Sequence, residues 1–279
     1  MIWKSRHRTL ELDQEAQVMG ILNVTPDSFS DGGRFAALDA ALEQAHQMIA
    51  EGATIIDIGG ESTRPGALSV AADEEIQRTV RVIKELRSAY PEWDGWISID
   101  TTKAEVAMTA LHAGADVVND ISGLRDPAMV KVCAQDGCGV CVMHMQGTPQ
   151  TMQKAPTYED VVTEVRDFFR ERLATLTQAG IDPDCLCFDP GIGFGKTLQH
   201  NLSLLHSLDT LSTGNRPLLI GLSRKSFIGK LLGIDAMELR DWPTVALTSK
   251  ARDQGVMLHR VHHVQPNLHA LRMMEAIRA

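Results

Sequence analysis

The sequence predicts a single (β/α)8 TIM barrel with a short N-terminal extension and long βα loops 1 and 2. Eight short apolar runs rich in Val and Ile recur along the chain, with amphipathic stretches of helical length between them. Runs of this kind suit parallel strands that are buried on both faces. The 279 residues match one barrel of about 250 residues with a short addition. We therefore expect one domain over residues 1–279.

The predicted elements follow in order along the chain, starting with an extended or hairpin lead-in over residues 1–17. The strands are predicted to start at Val18, Thr54, Trp96, Val117, Val140, Leu186, Leu218 and Met257. Amphipathic patterning predicts helices near residues 38–51, 73–89, 103–113, 127–136, 158–179, 200–211, 243–254 and 265–278. Loops 27–35 and 61–70 are long and rich in Gly, Ser or Pro, and we expect them to act as mobile lids over the barrel mouth.

Composition and charge narrow the class of protein. A net charge of −9 argues against general nucleic-acid binding, although basic groups in a pocket can still attract an anionic substrate. No apolar run approaches the ~20 residues that span a bilayer, and the polar first 17 residues do not resemble a signal peptide. We expect a cytoplasmic enzyme that binds neither nucleic acid nor membrane.

The five cysteines leave two interpretations open. An odd, scattered set is not typical of a disulfide framework. Cys138 and Cys141 form a CxxC pair. Because Cys185 and Cys187 lie two apart, a four-Cys zinc site is an alternative. Packing is the preferred interpretation, because Cys141, Cys185 and Cys187 lie in predicted strands, where a free cysteine packs as a small hydrophobe.

Polar side chains cluster where the predicted strands end, which is where barrel enzymes build their active sites. Carboxylate and amide groups end strands 2, 3, 4 and 6, and such groups suit a planar, amino-substituted heterocycle. Basic groups follow strands 7 and 8, a frequent phosphate site in barrels, and they predict a phosphorylated ligand. The first set is Asp57, Asp100, Asn119, Asp120 and Asp189. The second consists of the basic residues Arg224, Lys225, Arg260, His262 and His263, together with Ser223.

Several of these residues also have a purely structural interpretation. An inward Asp57 or Asp189 can simply accept hydrogen bonds from loop amides. Arg224 can face solvent or form an ion pair, and His144 is expected to be a structural histidine. The segment DPGIGFGK at 189–196 lacks the spacing of a phosphate-binding P-loop, so we do not predict one.

Eight motifs run in order over nearly the whole chain. They are MGILNVTPDSFSDGG (19–33), DIGGESTRPGA (57–67), ISIDT (97–101), VNDISG (118–123), VMHMQGTPQTMQ (142–153), DPGIGFGK (189–196), GLSRKSFIG (221–229) and RVH (260–262). Together they resemble the dihydropteroate synthases closely. The resemblance implies a transferase of folate biosynthesis that condenses 6-hydroxymethyl-7,8-dihydropterin pyrophosphate with 4-aminobenzoate and releases pyrophosphate. It also implies a (β/α)8 barrel, a homodimer and a target of sulfonamides.

The resemblance implies roles for the residues around the pterin. The ring would be held by Asp189, Asn119 and Lys225. Asp100 would lie beside the ring and stabilise positive charge, Arg260 would cover the pterin face, and His262 would contact the pyrophosphate. Met143 is expected to pack in the barrel and to line the pocket.

The resemblance also implies a metal ligand and a second substrate site. Asn23 would bind Mg²⁺ together with the pyrophosphate, helped by Thr63 and Arg64. The aminobenzoate site would be shaped by Ser226, Phe194, Pro65 and Phe29. Once Mg²⁺, Arg and His neutralise its charge, pyrophosphate is a good leaving group, and its departure leaves a cation delocalised into the ring. Such a dissociative, SN1-like reaction needs charge stabilisation and positioning but no enzyme nucleophile.

One stretch departs from the family's pattern. Residues 238–264 contain Trp242–Pro243, typical of a helix start, and His263 where the family usually has Asp. If the last strand alternates, Arg260 and His262 face inward and His263 faces outward or lies in the exit loop. The departure supports one alternative, a non-catalytic paralogue. A second alternative is a corrinoid-linked methyltransferase with a related pterin-binding barrel, but the SRKS and RVH motifs fit a pyrophosphate that it would not need.

Overall fold

The barrel is seen in a computed structural model that describes residues 1–6, 8–25, 33–63 and 66–278. In these ranges eight parallel strands form one curved sheet, preceded by a two-stranded antiparallel hairpin, β1 (Ile2–Ser5) and β2 (Arg8–Glu11). The barrel strands are β3 (Gln17–Asn23), β4 (Ile55–Gly59), β5 (Trp96–Asp100), β6 (Val117–Asp120), β7 (Gly139–Met143), β8 (Leu186–Asp189), β9 (Leu219–Gly221) and β10 (Leu258–Val261). The predicted (β/α)8 fold and hairpin lead-in are confirmed.

The strands follow one another around the barrel in chain order. Each strand from β3 to β7 pairs in parallel with the next, and β10 pairs with both β9 and β3. The ring closes between β8 and β9 through a parallel bridge of Phe188 with Leu218. A hydrogen bond from Phe188 N to Pro217 O at 3.0 Å supports this closure. Because all eight described strands are parallel, the polar residues at their carboxyl ends meet at one mouth.

Helices alternate with the strands, and every predicted helix is present. Within the described ranges they are α1 (Gly33–Ala50), α2 (Ala72–Ala89), α3 (Ala104–His112), α4 (Pro127–Asp136), α5 (Val161–Gln178), α6 (Leu198–His206), α7 (Ser226–Leu232), α8 (Asp241–Asp253) and α9 (Val264–Arg278). α8 begins at Asp241, so Pro243 lies in its first turn, as the sequence predicts. The predicted lids lie partly outside the described residues, at 26–32 and 64–65, and remain a prediction.

Two helices differ from the sequence prediction. α6 ends at His206 rather than near residue 211, and a 3-10 turn at Leu208–Thr210 follows it. Leu204, Leu208 and Leu211 are all buried, so the apolar spacing correctly reports burial although the chain is not α-helical throughout. α7 is not predicted, because its seven residues are too few to show a helical period.

The N-terminal hairpin covers the end of the barrel opposite the mouth. Trp3 is fully buried there and donates from Nε1 to Cys185 O at 2.8 Å. Its ring also packs on Trp96, with centroids 5.2 Å apart. Both partners stand at the start of a strand or just before one, so the hairpin contributes to the core and not to the mouth.

The cysteines pack in the interior. All five lie in the described part of the chain, and all are free and buried. Cys141 and Cys187 are register partners on β7 and β8, whereas Cys185 Sγ donates to Gly137 O at 3.7 Å, so the members of the zinc alternative do not share one contact. The packing interpretation is confirmed. No helix in the described ranges is long and apolar enough to cross a bilayer.

Candidate active site

Two carboxylates and one arginine form the centre of the barrel mouth. Arg260, on β10, donates from Nε to Asp57 Oδ2 at 2.6 Å and from Nη2 to Asp100 Oδ2 at 2.7 Å. Asn119, on β6, donates from Nδ2 to the same oxygen of Asp57 at 3.1 Å. These contacts join the ends of four strands. They also place Arg260 inside the barrel, as alternation along the last strand predicts.

The contacts of Asp57 show whether it binds loop amides or other side chains of the mouth. Its side chain has no exposed surface, and its hydrogen bonds go to Arg260 and Asn119 rather than to loop amides. A buried carboxylate between two donors orients them and balances the guanidinium charge. Asp57 therefore positions two side chains of the mouth.

Asp100 is held in an unusual electrostatic environment. Burial raises the pKa of Asp100 to about 7; Arg260 opposes this rise, and Asp57 adds to it. Burial lowers the pKa of Arg260, but the two carboxylates outweigh it and raise that pKa above its ordinary value. Asp100 Oδ1 is buried without a hydrogen-bond partner among the described residues. A buried acceptor of this kind favours a cationic or donor group of a ligand beside it.

The ends of β8 and β9 contribute another part of the mouth. Asp189 is buried and accepts from Gly191 N at 2.7 Å. Burial raises the pKa of Asp189, while this amide and Lys225 oppose the rise. Lys225 Nζ lies 4.1 Å from the centre of the Phe194 ring, a cation–π contact. Burial lowers the pKa of Lys225 to about 8, although Asp189 opposes this shift.

An ion pair holds the turn that presents Lys225. Arg224 has a φ of +58°, which is uncommon for a residue other than glycine. Its guanidinium donates to both carboxylate oxygens of Asp241, at 2.7 and 2.9 Å. The ion-pair interpretation of Arg224 is therefore confirmed. His263 Nδ1 lies 3.8 Å from Asp241 Oδ2 with its side chain 53% exposed, so His263 faces outward as predicted.

His262 is held by a residue that follows the neighbouring strand. Its Nδ1 lies 2.9 Å from Ser223 Oγ, and its main-chain N donates to the same oxygen at 3.2 Å. Burial, followed by the charge of Arg260, lowers the pKa of His262 to about 3. These surroundings favour the neutral imidazole, because a second cation beside the Arg260 guanidinium is unfavourable. The neutral imidazole can still donate a hydrogen bond to an anion.

Asn23, at the end of β3, lies near Asp100. A Cβ at Gly59 would lie 3.6 Å from Asn23 Oδ1 and 3.6 Å from Asp100 Cβ, so the amide of Asn23 is at the mouth. Mg²⁺ that binds substrate phosphates keeps several waters and takes only one or two protein ligands. One amide oxygen therefore fits such an ion. The described residues contain no group of three or more His, Cys, Asp or Glu side chains that could hold a metal by themselves.

A cavity of about 390 Å³ opens beside Asp100. Thr63, Thr101 and Met145 are among the residues that line it, and its volume is within the range of small-molecule sites. Thr63, in the loop after β4, and Asp100, at the end of β5, therefore face one space.

The remaining predicted site residues are Phe29, Arg64, Pro65, Ser226 and Met143. Phe29, Arg64 and Pro65 lie outside the described residues. Ser226 is exposed at the start of α7, next to Lys225 in the chain. Met143 is buried in a second apolar cluster at the mouth, which also contains Ile121, Met145, Met152 and Phe194.

Lys196 is a buried cation of the mouth for which the sequence predicts no role. Lys196 is only 3% exposed, and its ammonium group contacts main-chain carbonyls and His144. His144 is thus the structural histidine that the sequence predicts. A lysine bonded to main-chain carbonyls leaves no pattern of paired charges in the sequence. The closely spaced glycines before Lys196 were the only sequence feature that pointed to a tightly packed loop there.

The chain matches a known family over most of its length. The family described as pterin binding enzyme matches residues 19–262. Dihydropteroate synthase of Escherichia coli strain K12 is 49% identical over 259 residues, which are 93% of this chain and 90% of that protein.

Two solved structures are similar along the whole chain. One is the dihydropteroate synthase of Yersinia pestis with a sulfonamide drug complex, with a TM-score of 0.92, 46% identity and coverage of 100% of this chain and 99% of that one. The other is the dihydropteroate synthase of Xanthomonas albilineans with 4-aminobenzoic acid, with a TM-score of 0.92, 42% identity and coverage of 100% and 98%. The similarity of both extends through residues 238–264.

Proposed function

This chain belongs to the dihydropteroate synthases, transferases among the pterin-binding enzymes, and we propose how its residues divide the work of the reaction. The enzyme condenses 6-hydroxymethyl-7,8-dihydropterin pyrophosphate with 4-aminobenzoate and releases pyrophosphate, in folate biosynthesis. The observation that carries our proposal is the arrangement of Arg260 between Asp57 and Asp100. It places two carboxylates at the mouth and holds them in position, and a cationic intermediate needs such groups beside it.

The pterin is bound by hydrogen bonds to its ring. Asp189 has one oxygen on Gly191 N, and its carboxylate accepts from the amino-pyrimidine edge of the ring. Asn119 and Lys225 contact the remaining ring heteroatoms, and Arg260 covers one face. Asp57 supports this arrangement, because it holds Arg260 and Asn119 at once.

The pyrophosphate is bound at the opposite end of the substrate from the ring. Asn23 is the ligand proposed for Mg²⁺, which when bound would neutralise charge on the leaving group. Ser223 orients the His262 ring through Nδ1, and the neutral imidazole donates a hydrogen bond toward the pyrophosphate. Thr63 and Arg64 complete this end of the site.

The reaction proceeds by loss of pyrophosphate before attack. The bond between the methylene carbon and the pyrophosphate oxygen breaks, and its electron pair leaves with pyrophosphate. Asp100 stabilises the cation that spreads into the ring, since the carboxylate is preorganised by Arg260. The amine nitrogen of 4-aminobenzoate then forms the carbon–nitrogen bond and loses a proton. Phe194, Ser226, Phe29 and Pro65 shape the space in which the amine approaches.

A turnover assay with the pterin pyrophosphate and 4-aminobenzoate tests the reaction. Dihydropteroate and pyrophosphate should appear in equal amounts. Ligand binding without product would instead favour a non-catalytic paralogue, and transfer of a methyl group would favour the corrinoid-linked alternative.

Binding should be ordered, with the pterin pyrophosphate first. Its pyrophosphate is expected to recruit the two loops at 27–35 and 61–70 through Asn23 and Arg64, and these loops complete the aminobenzoate site. Calorimetry should detect sulfonamide binding when pyrophosphate and Mg²⁺ are present and lose it when either is removed. Tight sulfonamide binding to the unliganded protein would contradict the scheme.

We also propose a homodimer in the cytoplasm. Large apolar side chains are exposed on and between α7 and α8, namely Leu231, Leu232, Leu239 and Trp242, the last 77% exposed. Exposed apolar surface of this kind marks protein interfaces. Sedimentation velocity should give a dimer that Trp242→Asp weakens, and a monomeric wild type would reject the proposal.

The proposed location in the cytoplasm is supported by the cysteines, because five buried free thiols suit a reducing compartment.

A further inference from the structure

One buried lysine fastens the loop that follows β8. Lys196 Nζ lies 3.0 Å from the carbonyl oxygens of Gly191 and Phe194. The same Nζ lies 3.3 Å from His144 O and 3.0 Å from His144 Nδ1. His144 directly follows β7, whereas Gly191 and Phe194 lie between β8 and α6. A single ammonium group therefore ties two neighbouring loops together at the mouth.

The rest of this loop is also fastened. Gln153 Nε2 donates to Gly193 O at 2.8 Å, and Tyr158 OH donates to Gly195 O at 2.8 Å. Gly193 N donates to Asn201 Oδ1 at 2.7 Å. At Gly191, where φ is +65°, a Cβ would lie 2.0 Å from His144 O. The two loops are in such close contact that a shift of one requires a shift of the other.

Phe194 connects this loop to the substrate site. Its carbonyl oxygen is one of the acceptors of Lys196 Nζ, and its ring lies 4.1 Å from Lys225 Nζ. The ring also packs against the apolar cluster of Met143, Met145, Met152 and Ile121. The position of the ring thus depends on a main-chain group that Lys196 holds.

We propose that Lys196 is a positioning residue for the aromatic amine substrate, because it holds the carbonyls of Gly191 and Phe194 and so sets the Phe194 ring against Lys225. The inference rests on the proposed role of Phe194 in the 4-aminobenzoate site. Lys196 itself does not touch the substrate, because its three N–H groups are surrounded by four acceptors. Its contribution is to the geometry of the loop.

The surroundings of Lys196 agree with a geometric role. Its hydrogen-bond partners in the described ranges are neutral, since burial holds the pKa of His144 down at about 2. Burial also lowers the pKa of Lys196 to about 7, although Asp189 opposes this shift. A group retained mainly for its charge would be paired with a carboxylate.

Replacement of the donors tests the proposal. Lys196→Met keeps most of the length of the side chain and removes all three N–H groups. We expect the KM for 4-aminobenzoate to rise about tenfold, because small displacements of a positioning group are felt at the substrate. The kcat and the dissociation constant of the pterin pyrophosphate should each change less than about threefold, since neither depends chiefly on the Phe194 ring. Equal losses in kcat and in affinity for both substrates would overturn the proposal.

A double-mutant cycle tests whether Lys196 acts on the KM for 4-aminobenzoate through the Phe194 ring. Phe194→Leu alone should raise the KM for 4-aminobenzoate, and Lys196→Met should then add less than about twofold, because coupled residues are not additive. A full tenfold effect in the Phe194→Leu background would overturn the route through the ring. If Phe194→Leu alone leaves the KM unchanged while the wild type turns over, the proposed aminobenzoate site is wrong instead.

Two further variants separate positioning from loss of stability. Arg252→Met removes another buried cation, whose partners are Glu275 and Gln14 O, and it should lower the melting temperature without changing the KM. A KM effect equal to that of Lys196→Met would overturn the proposal. Tyr158→Phe removes one donor to the same loop and keeps the ring, so it provides a milder test should Lys196→Met not fold. Its KM for 4-aminobenzoate should rise about twofold to threefold, and an unchanged KM would count against the proposal.

Discussion

Two cations, Arg260, which is partly buried, and Lys196, which is buried, lie at the same mouth and are stabilised in different ways. Arg260 is bonded to two carboxylates, Asp57 and Asp100, which raise its pKa. Lys196 is bonded to three carbonyls and a neutral histidine, and its pKa falls to about 7.

The difference shows what each cation contributes. A guanidinium between two carboxylates keeps its charge at every working pH and fixes the orientation of Asp100. An ammonium group among neutral acceptors can lose its charge, but its hydrogen bonds still connect two loops. In the function that we propose, Arg260 therefore sets the electrostatics of the site, and Lys196 maintains its shape.

The largest effect is expected at Asp100. Asp100→Asn keeps the size of the side chain and removes the negative charge beside the developing cation. We expect kcat to fall on the order of 10²–10³, about 3–4 kcal/mol of transition-state stabilisation, with much less change in pterin affinity. Single-turnover kinetics measure this. If Asp100 only holds its loop, melting temperature and both affinities will fall together instead.

A loss of binding rather than of rate is expected at Asp189. Asp189→Ala removes a charged acceptor for the amino-pyrimidine edge, and the pterin pyrophosphate should bind more weakly by about 2–4 kcal/mol. Calorimetry measures the dissociation constant, and a melting curve checks the fold. Near-normal affinity would show that Asp189 belongs to the loop rather than to the substrate.

A smaller loss of rate is expected at Asp57, which serves as the control for Asp100. Asp57→Asn leaves Arg260 with one carboxylate and should lower the free energy of unfolding by about 1–3 kcal/mol. The kcat should fall less than about tenfold, because the charge beside the substrate remains. A rate loss as large as that of Asp100→Asn would mean that both carboxylates act on the cation.

The smallest effect is a pH dependence that belongs to Lys225. Burial lowers its pKa to about 8, so the amine is charged below pH 8 and becomes neutral above it. The affinity for the pterin pyrophosphate should therefore decline as the pH rises through 8. Lys225→Arg should flatten this decline, since a guanidinium stays charged there. An identical decline in the variant would assign the effect to another group.

Much of the site follows from the sequence, since barrel strands bring their carboxyl ends together. Buried, Val- and Ile-rich runs determine the strands, and polar residues at their ends must then meet at one mouth. Asp100, Asn119, Asp189 and Arg260 are placed correctly at the mouth for this reason. The seven-residue helix α7 escapes the same reasoning, because a helical period needs more than two turns to be visible.

Hydrogen-bond partners were decided only by the tertiary structure. Asp57 and Arg260 are 203 residues apart and Asp100 and Arg260 are 160 apart, and a sequence pattern reports burial without reporting the partner. The neutral state of His262 likewise depends on burial beside Arg260, and the role of Lys196 depends on three carbonyls that every residue type possesses. The sequence by itself determined the barrel and the residues at its mouth. The packing of distant strand ends decided which of them carry charge and which only hold the site in shape.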